Sequence, residues 1–202
     1  MKIKLVLVFS IICILVFYIY VSFKDSSVYY LSINDYDNSI YDKNISNKLN
    51  NKEMFINEFS SDTLRITDVI NSINDNNEII KNNKKISIQH ALIKADLLTL
   101  MLGNNELKYI MDKEEINKYD YIDNVINDYD TLIDIIKKYC KEDIFIIGHI
   151  DSDNISKYYN KKLKDLSKKY DIKYVDISYD GNNLDQIYKN ISDFILKSVA
   201  IK

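Results

Sequence analysis

Imidazole is the side chain best suited to moving protons near neutrality, and this 202-residue chain has only two, His90 and His149. Its two cysteines are no richer a resource. Cys13 lies in an apolar run and Cys140 stands alone in the remainder, so no disulfide joins two soluble cysteines. Carboxylates are plentiful, and Asp120, Asp123, Asp130 and Asp134 recur with Asn127 along one side of a helical pattern. They lack the ligand-loop spacing and turn glycine of a calcium site and read as solvated surface. The three glycines, Gly103, Gly148 and Gly181, mark places where a Cβ is hard to tolerate, since the chain has no proline and no other glycine. Each adjoins groups able to donate, accept or hold a proton: Asn104, Asn105 and Glu106; His149; and Asp180, Asn182 and Asn183.

Elements able to position these groups are visible as apolar runs. Residues 28–33, 96–102 and 143–147 are short, mainly apolar runs without polar alternation, as strands buried on both faces are, and 54–59 and 172–177 are weaker candidates. Helical periodicity predicts helices over 62–81, 87–95, 114–140, 153–169 and 184–197. In 114–140, Tyr119, Ile122, Ile126, Tyr129, Ile133 and Ile136 recur at steps of three and four. Residues 44–52 and 74–85 are polar enough to be loops or frayed ends. Strands alternating with helices predict an α/β fold, a three-layer α/β/α sandwich with about five parallel strands of the flavodoxin-like kind. Ligands of such folds bind outside the carboxyl ends of the strands, which selects Asn34, Asp35 and Tyr36, then Gly103 to Glu106, His149, and Asp180 to Asn183.

Composition narrows the class. With 47% apolar, 28% charged and 12% aromatic residues, neither a disordered nor a fibrous chain is expected, and a net charge of −3 argues against a nucleic-acid partner. Residues 3–23 form an apolar run spanning roughly 30 Å as a helix, the thickness of one hydrocarbon core. Lys2 and Lys4 precede it and no small-residue cleavage site follows, so residues 1–24 are expected to be an uncleaved single-pass anchor, with residues 25–202 as the main domain outside the cell membrane. A cytoplasmic domain on a reversed anchor is the alternative.

Several stretches resemble the SGNH/GDSL hydrolase superfamily, particularly its small membrane-anchored bacterial members. They are Tyr30-Leu31-Ser32-Ile33-Asn34-Asp35-Tyr36, Arg65-Ile66-Thr67-Asp68-Val69-Ile70, the run from Asp96 to Leu107 ending in Gly103-Asn104-Asn105-Glu106, and Tyr139-Cys140-Lys141-Glu142 before an apolar strand. The resemblance covers nearly all of residues 28–202 and implies the SGNH hydrolase fold and ester or acyl-ester hydrolysis without a cofactor or metal. In that family a G-D-S serine is the nucleophile, and a D-x-x-H block supplies the base and its orienting carboxylate. The G-D-S glycine and the asparagine of a G-x-N-D block help to form the oxyanion hole.

Carried over by residue, the resemblance puts Tyr36 at the nucleophile position, Asn34 and Asn105 at the oxyanion positions with Gly103 before them, and Asp35 at the block's aspartate. Asp180 takes the carboxylate position and Asn183 the base position. A phenol of pKa near 10 is a poor serine substitute, and a carboxamide cannot take a proton as imidazole does. His149 is the one imidazole on the functional rim. The expectation is therefore a pseudoenzyme with a binding or scaffold role toward a cell-envelope glycan or an acylated ligand; an active hydrolase with a non-standard site is the alternative. A nucleotide-binding flavodoxin relative is disfavoured, because no glycine-rich phosphate loop follows the first strand.

Overall fold

The computed structural model of the chain describes residues 28–35, 40–49, 55–150, 153–177 and 184–199. The apolar run at 3–23 lies outside them. Among the described residues, no helix is long and apolar enough to cross a membrane.

The elements are β1 (Tyr30–Asn34), α1 (Ile40–Lys48), β2 (Phe55–Ile56), α2 (Ile66–Asn74), β3 (Glu78–Lys81), β4 (Lys84–Ser87) and α3 (Ile88–Lys94). They continue with β5 (Leu97–Met101), α4 (Asn104–Met111), α5 (Lys118–Tyr139), β6 (Asp143–Ile147), α6 (Asn154–Tyr170), β7 (Lys173–Val175) and α7 (Leu184–Val199). Five strands form one parallel sheet in the order β2-β1-β5-β6-β7, and β3 and β4 form a separate antiparallel hairpin. Tyr30 to Asn34 pair in register with Leu97 to Met101, and Leu97 to Leu100 with Asp143 to Ile146. The α/β class and the five parallel strands agree with the apolar runs, and the strand order is that of the flavodoxin-like fold.

Both faces of the sheet are covered because the central strands are apolar on both sides. Leu31, Ile33, Leu98, Leu100, Ile144 and Ile146 pack against α2, α3, α5 and α6. Tyr30, Leu97, Met101, Phe145 and Ile147 pack against Ile45 of α1 and against Ile187, Tyr188, Ile191 and Ile195 of α7.

The structure corrects two local expectations. The helix predicted over 62–81 ends at Asn74, and Asn76 turns left-handed at φ 52°. Ile79 and Ile80 then belong to a hairpin whose turn residues, Asn82 and Asn83, have φ of 50° and 59°, the two positive values of a type I′ turn. Ile79 pairs with Ile86 and packs on the core while Ile80 faces out; the alternation is a strand's, although two adjacent isoleucines also suit the end of a helical stripe. The stretch 74–85, expected to be a loop or a frayed end, is thus largely hairpin; 44–52, expected likewise, carries the end of α1, a helix that buries Asp42 and Ser46 beside Ile45. Helix α4 had no counterpart in the periodicity.

Candidate functional site

The chain leaves β1 toward β2 on one side and β5 lies on the other, so the carboxyl ends of β1 and β5 open a crevice where crossovers diverge. Asp35, one residue past β1, is 1% exposed, and its Oδ2 accepts the backbone N–H groups of Gly103 (2.9 Å), Asn104 (2.6 Å) and Asn105 (3.2 Å). These are the unpaired donors at the N-terminus of α4, and a carboxylate there also meets the favourable end of the helix dipole. Burial nevertheless wins: it lifts the Asp35 pKa to about 6, against the lowering by those three N–H groups. Its Oδ1 is buried without a partner.

The same turn is held from the other side by its carbonyl. Leu102 O accepts from the Tyr159 hydroxyl (2.9 Å) and lies 2.9 Å from His149 Nε2. A carbonyl only accepts, so Nε2 carries the proton and Nδ1 the lone pair. His149 is 4% exposed, and burial drops its pKa to about 4, leaving a neutral ring at pH 7. Asn160 fixes the His149 backbone, accepting its N–H at 2.8 Å and donating to its carbonyl at 2.6 Å. Gly103 has φ +109°, and a Cβ there would land on the Tyr159 hydroxyl. Both reasons exclude other residues.

Asn34 faces inward rather than toward the crevice. Its N–H donates to Ser60 Oγ (2.9 Å), and its Nδ2 donates to Asp42 Oδ2 (3.0 Å) and Ser32 Oγ (3.2 Å). Asp42 also accepts from Ser32 Oγ (2.7 Å) and from the Tyr30 hydroxyl, making a buried polar patch between β1 and α1. Asn105 Nδ2 donates to the carbonyls of Leu64 (2.7 Å) and Asp62 (3.0 Å), fastening the approach to α2. Glu106 Oε1 accepts Ile66 N–H (3.0 Å) at the start of that helix, and burial pushes the Glu106 carboxyl above its ordinary range.

A cleft of about 520 Å³ opens at this edge, lined among others by Met101, Asn104, Lys108, His149, Asp153 and Tyr188. Among the described residues its one serine, Ser156, is committed to the N-terminus of α6, where it accepts from Asp153 N–H (3.1 Å) and donates to Asp153 O (2.9 Å).

Asp35, Gly103, Asn105 and His149 thus meet around one turn, with Asn34 at its back. Tyr36, Asp180, Gly181 and Asn183 lie outside the described residues. His90 sits on α3, before β5 and away from the carboxyl edge. Sequence reasoning missed Tyr159 and Asn160. Their signal was present: both lie on the buried face of α6, where an asparagine among Ile155, Tyr159, Leu163 and Leu166 needs a partner. Among the described residues, no group of three or more histidine, cysteine or acidic side chains is placed to hold a metal ion. Comparison with protein-family models and with curated proteins finds no match for the chain.

Proposed function

We propose that the chain is a membrane-anchored SGNH/GDSL-like protein without serine-esterase activity, whose outward domain binds a cell-envelope glycan or an acylated ligand or serves as a scaffold there. The observation that carries this reading is the commitment of the donors at the positions that match the family's oxyanion hole. Asn34 N–H goes to Ser60 and Asn105 Nδ2 to the carbonyls of Asp62 and Leu64, while the N–H of neighbouring Gly103 goes to Asp35. An oxyanion hole needs donors aimed at the place where charge develops, and donors spent inside the fold cannot supply it. The neutral His149, with Nε2 turned to Leu102, supports the same reading, as do Tyr36 and Asn183 at positions where the family has serine and histidine. The cleft suits a ligand with apolar and polar parts, since Met101 and Tyr188 share it with Lys108 and Asp153.

The test is turnover of p-nitrophenyl acetate and butyrate by the detergent-solubilised full chain beside Tyr36→Phe and His149→Ala. The expected result is the same background rate for all three. Turnover by the parent chain that either substitution abolishes would overturn the reading in favour of a hydrolase with a non-standard site.

A further inference from the structure

The end of the sheet opposite the cleft is where the chain enters the domain, and its surface has its own chemistry. β1 starts at Tyr30, and Tyr29 is pinned to the start of β5: its N–H donates to Asp96 Oδ2 (2.8 Å) and its carbonyl accepts Asp96 N–H (2.9 Å). Six residues, 24–29, separate this edge from the apolar run at 3–23, and six residues reach at most about 20 Å.

The β3–β4 hairpin lies at that same edge. Lys81, the last residue of β3, donates to Phe55 O and pairs with Glu58 at 2.7 Å. Phe55 is the register partner of Tyr30, with the two rings stacked at 5.0 Å. From the hairpin the chain runs through α3 to Asp96, again at the amino-terminal edge.

This segment holds the two most exposed large aliphatic side chains among the described residues, Ile80 at 73% and Ile93 at 59%. It is also basic within an acidic chain: residues 78–94 contain Lys81, Lys84, Lys85 and Lys94 against the single acid Glu78, while the whole chain carries −3. Lys81 and Lys85 have acidic partners in Glu58 and Glu78; Lys84 and Lys94 are exposed and have no ion pair among the described residues. Exposed isoleucine flanked by lysine suits an anionic bilayer surface, where the aliphatic groups enter the headgroup layer and the ammonium groups meet lipid phosphate.

We propose that the β3–β4 hairpin and the end of α3 rest on an anionic lipid surface, holding the amino-terminal edge of the sheet against the bilayer and the cleft away from it. The inference rests on the reading of residues 3–23 as an anchor. Five-residue strands add roughly 17 Å between the two edges, so the cleft opens outward from the membrane.

The test uses the full chain with Cys13→Ser, reconstituted in phosphatidylcholine vesicles with and without phosphatidylglycerol. Cys140 is 2% exposed and escapes labelling in the folded chain. An environment-sensitive fluorophore is attached through Ile80→Cys, Ile93→Cys or Lys108→Cys. Labels at 80 and 93 are expected to show blue-shifted emission and quenching by spin-labelled lipid. Both effects should grow with phosphatidylglycerol and weaken in high salt, while the label at 108 stays aqueous. Reversing the hairpin charge with Lys84→Glu and Lys85→Glu should return the label at 93 toward aqueous emission. If labels at 80 and 93 are as aqueous as that at 108 in a chain that still floats with vesicles after alkaline carbonate, the docking surface is refuted and the anchor stands. If carbonate strips the chain from the vesicles, the anchor reading fails and the docking surface falls with it.

Discussion

Asp35 and His149 grip the same turn from opposite sides, and burial acts on them in opposite electrical senses. Asp35 takes three N–H groups at the start of α4, whereas His149 turns Nε2 to the carbonyl of Leu102 just before them. Loss of water disfavours charge on either group, so the aspartate rises to about 6 and the histidine falls to about 4. At neutral pH the histidine avoids the penalty by staying uncharged. Asp35 keeps its charge in a buried place, compensated by backbone dipoles and with Oδ1 unpartnered. Around this turn an imidazole serves as a fixed donor, and a carboxylate serves as a helix cap.

The comparison is broken most forcefully at Asp35. Asp35→Ala would leave the N–H groups of Gly103, Asn104 and Asn105 without their acceptor, at an expected cost of about 3 to 4 kcal/mol in urea unfolding at pH 7. Asp35→Asn keeps an acceptor oxygen and discards the charge, so it should remain within about 1 kcal/mol of the parent. Equal losses in the two variants would mean that the charge, not the acceptor, holds the turn.

The pH dependence sharpens the contrast further. A carboxyl raised from 3.8 to about 6 contributes stability below pH 3.8 that is lost as pH rises through 6. An imidazole lowered from 6.5 to about 4 contributes stability above pH 6.5 that is lost as pH falls through 4. Each amounts to about 3 kcal/mol, and between pH 4 and 6.5 the two slopes oppose one another. Relative to the parent, Asp35→Asn should therefore gain stability with rising pH over this window, and His149→Gln should lose it. Glu106, also pushed up by burial, acts in the direction of Asp35 but is common to all three proteins, so it tilts each curve downward with rising pH and cancels from the differences. Urea midpoints at pH 4, 5, 6 and 7 check this; parallel curves for the three proteins would show that neither group titrates as its burial requires.

The strands were legible because parallel strands covered on both faces are apolar almost throughout, as Leu97 to Met101, interrupted only by Thr99, and Ile144 to Ile147 are. The long stripe of α5 was equally plain. Helix α1 was hidden because its buried face includes Asp42 and Ser46. Asp42 accepts from Tyr30, Ser32 and Asn34, contacts that only the fold assembles. The hairpin was hidden because Ile79 and Ile80 fit the end of a helical stripe as well as a strand, and Asn82-Asn83 was not read as the turn that separates them. At the site, glycines and rim chemistry located Asp35, Gly103, Asn105 and His149. Their partners could not be read locally, since Tyr159 and Asn160 arrive from α6, more than fifty residues beyond the Gly103 turn.

Asn105 offers the smallest and most selective change, because its backbone and side chain belong to different structures. Its N–H contributes to the Asp35 cap, while its Nδ2 reaches back to Asp62 and Leu64 ahead of α2. Asn105→Ala retains the first and removes the second, and the freed carbonyls are exposed enough for water to replace much of what is lost. The expected cost is about 1 kcal/mol. The side chain has no hydrogen bond to Asp35 or His149, so the loss should be the same at pH 4 and pH 7. A loss that varied with pH would mean that the carboxamide also steadies the Asp35 cap, and the turn would then depend on α2 as well as on its two buried grips.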